Sequence, residues 1–207
     1  MARYLQFQSE RNVRLTLIDG DTYEPRNRER QSFQALGNKA VVKADELRQE
    51  FPGLSMHAEP RYLDDKNVIE FIREGDIVFS CVDSKFIRTR KYISDRALEL
   101  DDVLIISGGN ELTHGNVRFH WRKAKKNLTL PLANKYHPEV ENPRGADEPQ
   151  PGCGVRVKSE PQIVIMNNLV ASIMLSGFYA FLEGKLDYDE VYMDMLTGNV
   201  RTVRRKR

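Results

Sequence analysis

The sequence predicts an α/β fold with a mixed sheet, mostly parallel, antiparallel strands toward the C-terminus and helices on both faces. Three observations carry that prediction. Two apolar runs end in an acid, VRLTLID at residues 13–19 and DIVFSCVD at residues 76–83, and each reads as a strand with a polar carboxyl end. Segments of helical period, residues 37–51, 66–73 and 85–100, alternate with strand-like ones. Late in the chain, GNVRFHW alternates like an antiparallel strand, and EVYMDMLTGNVRTVRRKR reads as two strands around the turn Thr197-Gly198-Asn199.

At 207 residues and 40% apolar content, the chain is long enough for one such domain and short for two. Its 32 basic and 30 acidic residues nearly cancel, which gives no sign of a nucleic-acid or anionic-membrane partner. Only the tail from Arg201 to Arg207 is locally basic, as a solvated terminus is. The two cysteines, Cys81 and Cys153, fit a reducing cytoplasm, and without a CxxC pair they make no four-cysteine zinc site.

In chain order, MARYLQFQ reads as the end of a helix and lacks the apolar core of a secretory leader. In the first strand Val13, Leu15 and Leu17 alternate with Arg14 and Thr16 until Asp19 ends the run. An acid at that place in a dinucleotide-binding sheet accepts hydrogen bonds from both ribose hydroxyls. Gly20 turns the backbone, and Asp21 follows on the same rim. Arg26, Asn27, Arg28, Arg30 and Gln31 then offer donors that can clamp phosphate oxygens. Lys39 and Lys43 stand one turn apart near the start of the next helix. The order suits a nucleoside triphosphate; the plain alternative is a solvated basic loop and helix face.

Ala40, Val41, Ala44, Leu47 and Phe51 give that helix its buried side, and Pro52 stops it. LSMHAEP is a short strand in which His57 has no partner at ligand spacing. The strand at residues 76–83 is expected to be buried on both faces, with Cys81 in the core and Asp83 on the same carboxyl edge as Asp19, where a carboxylate can hold Mg²⁺. VLIISGGN is the next strand, its Gly108 and Gly109 permitting close approach at the rim. Periodicity disappears between Arg122 and Glu160, which reads as one long loop holding Cys153 between two glycines. Pro161 opens an apolar helix just long enough to span a bilayer; Asn167, Asn168, Ser172 and Ser176 and the lack of flanking cations argue for a buried helix instead.

The motifs Asp19-Gly20-Asp21, Arg26-Asn27-Arg28-Glu29-Arg30-Gln31 and Gly37-Asn38-Lys39 resemble the ATP-site core of the ubiquitin-activating-enzyme family, the ThiF-type adenylyltransferases. Asp83, Ser84 and Arg88 match the family's second acidic strand, and the resemblance runs collinearly from Leu15 to about Val203. Arg26 stands where the family has serine, and the segment from Gln31 to the lysine is shorter, so that Lys43 is a second candidate for the family's lysine.

The resemblance implies a Rossmann-like fold that binds ATP and Mg²⁺. Asp19 and Asp21 would line the nucleotide rim, Asn27, Arg30 and Gln31 would hold phosphates, Lys39 would neutralise developing charge, Ser84 would join the nucleotide site, and Asp83 would hold the metal. Residues 122–160 would be the crossover loop over a partner's C-terminus, where Cys153 is either a covalent residue or a spectator thiol. The reaction implied is adenylation of the C-terminal carboxylate of a ubiquitin-like or sulfur-carrier protein, by a homodimer in the cytoplasm. The glycine-rich turn expected about 20 residues before Asp19 would precede Met1. Its lack points to a truncated start, a turn supplied by another chain, or a catalytically inactive partner subunit. An NAD-dependent oxidoreductase fits less well, because Arg28, Arg30 and Lys39 exceed what a pyrophosphate requires.

Overall fold

The computed structural model describes residues 1–8, 13–29, 31–82, 87–142 and 164–206. They form two compact units, Met1–Leu63 and Asp64–Arg207.

The first unit begins with α1 (Ala2–Gln6) and β1 (Arg14–Ile18), followed by β2 (Thr22–Tyr23), a 3-10 turn (Pro25–Glu29) and β3 (Gly37–Asn38). Helix α2 (Lys39–Glu50) and β4 (Ser55–Glu59) complete it. β1 and β4 pair in parallel from Arg14↔Ser55 to Ile18↔Glu59, while β2 and β3 make a short antiparallel bridge. Ala40 and Ala44 are the buried residues of α2, small enough to let it lie close on the two parallel strands. Ala2, Phe51 and Leu54, with Leu5, Val13, Leu15, Leu47 and Met56 around them, form the hydrophobic cluster.

The second unit runs α3 (Val68–Phe71), β5 (Ile77–Ser80), α4 (Ile87–Glu99), β6 (Val103–Asn110), β7 (His114–Lys123), β8 (Lys126–Asn127), α5 (Pro138–Glu141), α6 (Val164–Leu182), β9 (Glu190–Asp194) and β10 (Asn199–Val203). Its sheet has the order β10-β9-β7-β6-β5, with β8 attached to β7. Only β5 and β6 pair in parallel; the other pairs are antiparallel. Among the described residues, these and β1 with β4 are the two parallel ladders, so the antiparallel part of the mixed architecture reaches further into the chain than the C-terminal strands alone.

Three sequence expectations change here. β5 stops at Ser80 and is not buried on both faces: Ile77 is 36% exposed, and Val78 and Phe79 are half-buried. Cys81 lies past the strand and is exposed, not in the core. Residues 122–127 and 138–141 are not loop, and the stretch between them is held by hydrogen bonds. β7 runs on to Lys123, Ala124 and Lys125 turn the chain at positive φ, and β8 returns. Thr129 Oγ1 accepts from Trp121 N–H and donates to Phe119 C=O, Leu130 N–H donates to Asp189, and Ala133 N–H donates to Ser94. Such side-chain-to-backbone bonds order a segment without giving it a period. The rest of the expected crossover loop, 143–160, lies outside the described residues.

Helix α6 is long and apolar enough to cross a membrane by length and composition. In this unit Met166, Val170, Met174, Gly177 and Phe178 bed one side of it on β6 and β7. Gly108, expected at the rim, and Gly115, in the following strand, make room for this helix: a Cβ on Gly108 would meet Met174 Sδ at 2.6 Å, and one on Gly115 would meet Met166 Cε at 2.6 Å. On α6 itself, a Cβ at Gly177 would lie 2.1 Å from the ring of Phe119, which is 1% exposed and cannot move aside. Gly177→Ala is therefore expected to lower unfolding free energy by about 2 to 3 kcal/mol in urea titration, despite alanine's better helix propensity.

Candidate functional site

The candidate site is the carboxyl end of β1, where four residues are tied into one hydrogen-bonded turn. Asp19 Oδ1 accepts the backbone N–H of Asp21 at 2.8 Å. Its Oδ2 has no partner among the described residues. Asn38 Nδ2 donates to the carbonyls of Asp19 and Asp21 at 2.7 and 3.1 Å, and its Oδ1 caps α2 by accepting Val41 N–H. Lys39 N–H donates to Asp21 C=O at 2.8 Å, and Lys39 Nζ pairs with Asp21 Oδ2 at 3.0 Å. A single asparagine thus locks the strand end to the first turn of the helix that carries the lysine.

Burial pushes the Asp19 carboxyl above its ordinary value; the Asp21 N–H and the Lys39 charge pull it back, and the Asp21 charge adds to the rise. A part-buried carboxylate with one oxygen satisfied and one open fits a hydroxyl donor such as a ribose. Lys39, with a side chain only 20% exposed, is a cation already aimed along the same rim.

The basic segment after β2 is shaped by aromatic packing. Tyr23 and Phe33 stack with centroids 4.2 Å apart, both buried. Arg28 lies over the Phe33 ring at 4.6 Å. Asn27 is buried, and its Oδ1 accepts Glu24 N–H at 2.8 Å, leaving Nδ2 as a donor with no partner among the described residues. Gln31 is exposed, its N–H donating to Asn27 C=O, and Arg26 pairs with Glu24 at 2.5 Å. Lys43, the second lysine candidate, turns away from this rim: Nζ donates to Ser32 C=O at 2.9 Å and pairs with Glu46, whose other oxygen accepts Gln34 N–H. Burial raises the Glu46 carboxyl, but the Lys43 and Gln34 hydrogen bonds outweigh it and hold the group below its usual value. Lys43 and Glu46 fasten the loop to α2.

Arg30, Asp83, Ser84 and Cys153 lie outside the described residues. Among the described residues no group of three or more His, Cys, Asp and Glu side chains could hold a metal ion. The structure thus joins Asp19, Asp21 and Lys39; it gives a role to Asn38, which the sequence shows only as a member of the Gly37-Asn38-Lys39 motif, and it adds Glu46 and Tyr62. Asn38 was signalled by its place just before the helix; Glu46 and Tyr62 carried no local signal.

A model of the ThiF family matches residues 13–207. The chain belongs to the ThiF family. No curated protein matches its sequence. Solved structures that resemble this ThiF-family chain include E. coli MccB with ATP, at 14% identity and TM-score 0.68, covering 94% of this chain and 57% of that one. The microcin C7 biosynthetic enzyme MccB in complex with N-formylated MccA gives 14% identity and TM-score 0.63, with 94% and 58% covered. PaaA gives 15% identity and TM-score 0.62, with 91% and 64% covered. The chain therefore spans about three-fifths of the length of these structures. At such identities the likeness is one of fold, Rossmann-like and mixed α/β.

Proposed function

We propose that this ThiF-family chain supplies the nucleotide site of an ATP-dependent adenylating enzyme acting on the C-terminal carboxylate of a peptide or small carrier protein of the ubiquitin-like or sulfur-carrier kind. The observation that carries the reading is the Asp19–Asn38–Lys39 turn, which sets an open carboxylate oxygen and a part-buried ammonium on one strand end. MccB, solved with ATP and in complex with N-formylated MccA, supports both the nucleotide and a polypeptide acceptor.

In this reaction a carboxylate oxygen of the acceptor bonds to the α-phosphorus of ATP, and the bond to the bridging oxygen breaks to release pyrophosphate. Little covalent work falls to the protein; its task is orientation and charge stabilisation. Asp19 accepts from the ribose hydroxyls. Asn27 Nδ2, Arg30 and Gln31 donate to phosphate oxygens, and Lys39 exchanges Asp21 for a phosphate oxygen as charge develops there. Asp83, with Ser84 beside it, is the proposed ligand for Mg²⁺, which when bound neutralises phosphate charge. A thiol at Cys153 would take the acyl group from the adenylate, forming a C–S bond as AMP leaves. The setting proposed is cytoplasmic.

The test is pyrophosphate release with a peptide bearing a free C-terminal carboxylate or the same peptide amidated. Release with the free acid alone is expected; equal release with both, or none with either, contradicts the reading.

We further propose a homodimer joined through α6. Opposite its bedded side, α6 exposes Val164, Ile165, Leu175 and Tyr179. Between them Ser172 and Ser176 donate to the carbonyls of Asn168 and Ser172, so their hydroxyls are already satisfied. Such a face can be buried without orphaning a polar group. Sedimentation should show a dimer that Ile165→Glu with Leu175→Glu converts to monomer; a monomeric wild type would refute the interface.

A further inference from the structure

Tyr62, next to last in the first unit, lies beside the Asp19-Gly20-Asp21 turn. Its ring covers Gly20 so closely that a Cβ there would lie 2.6 Å from Cγ and Cδ2. Glycine at this position is therefore a seat for the ring. The residue is 55% exposed, so the ring roofs the turn without leaving solvent. Its hydroxyl donates to Asp21 Oδ1 at 2.5 Å, while Lys39 Nζ occupies Asp21 Oδ2 at 3.0 Å. One carboxylate is thus shared between a neutral donor and the cation that the proposed chemistry needs elsewhere.

That sharing has a consequence for the lysine. When Nζ leaves Asp21 for a phosphate, it leaves a part-buried carboxylate next to Asp19, a second carboxylate. Losing a cation in such a place is unfavourable unless a donor remains. Tyr62 is such a donor, because its ring is seated on Gly20 and its hydroxyl donates to the carboxylate oxygen that Lys39 does not use. We propose that Tyr62 is a positioning residue of the nucleotide site: it holds Asp21 while Lys39 transfers to the phosphate, and so sets how readily the lysine is released. This rests on the nucleotide reading given above and deepens it.

Tyr62→Phe keeps the ring and removes only the hydroxyl, so the melting temperature should be unchanged. ATP affinity measured by calorimetry should fall about tenfold, the effect of one hydrogen bond to a charged group. In an Asp21→Asn background the same substitution should change affinity by less than about twofold, because contacting residues that act together are not additive. A parallel cycle on Lys39→Gln gives the same reading if Asp21→Asn does not fold. Full additivity in the cycles, or unaltered affinity in Tyr62→Phe with a binding wild type, overturns the role of Tyr62 and leaves the nucleotide site standing. A wild type that binds no ATP overturns both.

Discussion

Replacing Lys39 with methionine is expected to slow ATP-dependent pyrophosphate release about a hundred- to a thousandfold, the usual effect of deleting one preorganised donor to a developing anion. The residue owes this role to its setting. Its backbone N–H is fixed on Asp21 C=O and its Nζ on Asp21 Oδ2, so the ammonium is held at the strand end before any ligand arrives. Methionine preserves the length and packing of the stem, so thermal stability should shift little. Lys43→Met serves as the internal comparison. Because Lys43 holds Ser32 C=O and Glu46, its loss should loosen the loop and slow release by less than about tenfold. The rates, measured under saturating ATP, separate the two lysines; a larger loss at Lys43 would reverse their assignment.

The largest expected effect on stability lies in the second unit. Glu190, 2% exposed, accepts from His137 Nε2 at 2.7 Å and from Arg205 Nε and Nη2 at 3.1 and 2.6 Å. Burial alone would raise this carboxyl, but the hydrogen bonds from His137, Arg205 and Tyr192 outweigh it and bring it down to about 2 from the usual 4.5. A depressed carboxylate stabilises the fold fully above its unfolded value, and that contribution drains away as pH falls from about 4.5 toward 2. Its size is on the order of 3 kcal/mol.

His120 acts in the window above. Fully buried, with Nε2 on Asn127 Oδ1, it is held neutral: burial lowers it from 6.5 to about 4, Asn127 opposes this, and the Arg122 charge adds to it. Its contribution is complete above 6.5 and is lost as pH falls toward 4. Urea titrations at successive pH values should therefore show two acid steps in the wild type. Glu190→Gln should be about 3 kcal/mol less stable at neutral pH, lose the lower step and keep the upper one. A variant that retains the lower step would show that another carboxylate governs it.

Much of this was legible in the sequence. Asp19, Asp21 and Lys39 stand together because an apolar strand, a turn glycine and a helix start are all local signals, and local signals fix the rim of a parallel strand pair. β6 ran over the residues its apolar run marked, and the hairpin of β9 and β10 turned at Gly198, which has φ +68. What local pattern could not reveal depends on distant partners. The stretch around Leu130 and Ala133, part of the loop expected over residues 122–160, shows no period because its order comes from Asp189 and Ser94, tens of positions away. Gly108 reads locally as a rim glycine and Gly115 as one more strand residue, when the space both leave is filled by Met166, Val170 and Met174 from α6. Tyr62 reaches Asp21 across 41 positions, and no motif in either segment announces the other.

The most direct test of the nucleotide site is equilibrium binding of ATP against 2′,3′-dideoxy-ATP, in the wild type and in Asp19→Ala. With Asp19 Oδ2 reading the ribose, the wild type should bind the dideoxy form at least about tenfold more weakly, and Asp19→Ala should bind the two alike. A wild type that does not distinguish them would contradict the assignment of the β1 end as the ribose site.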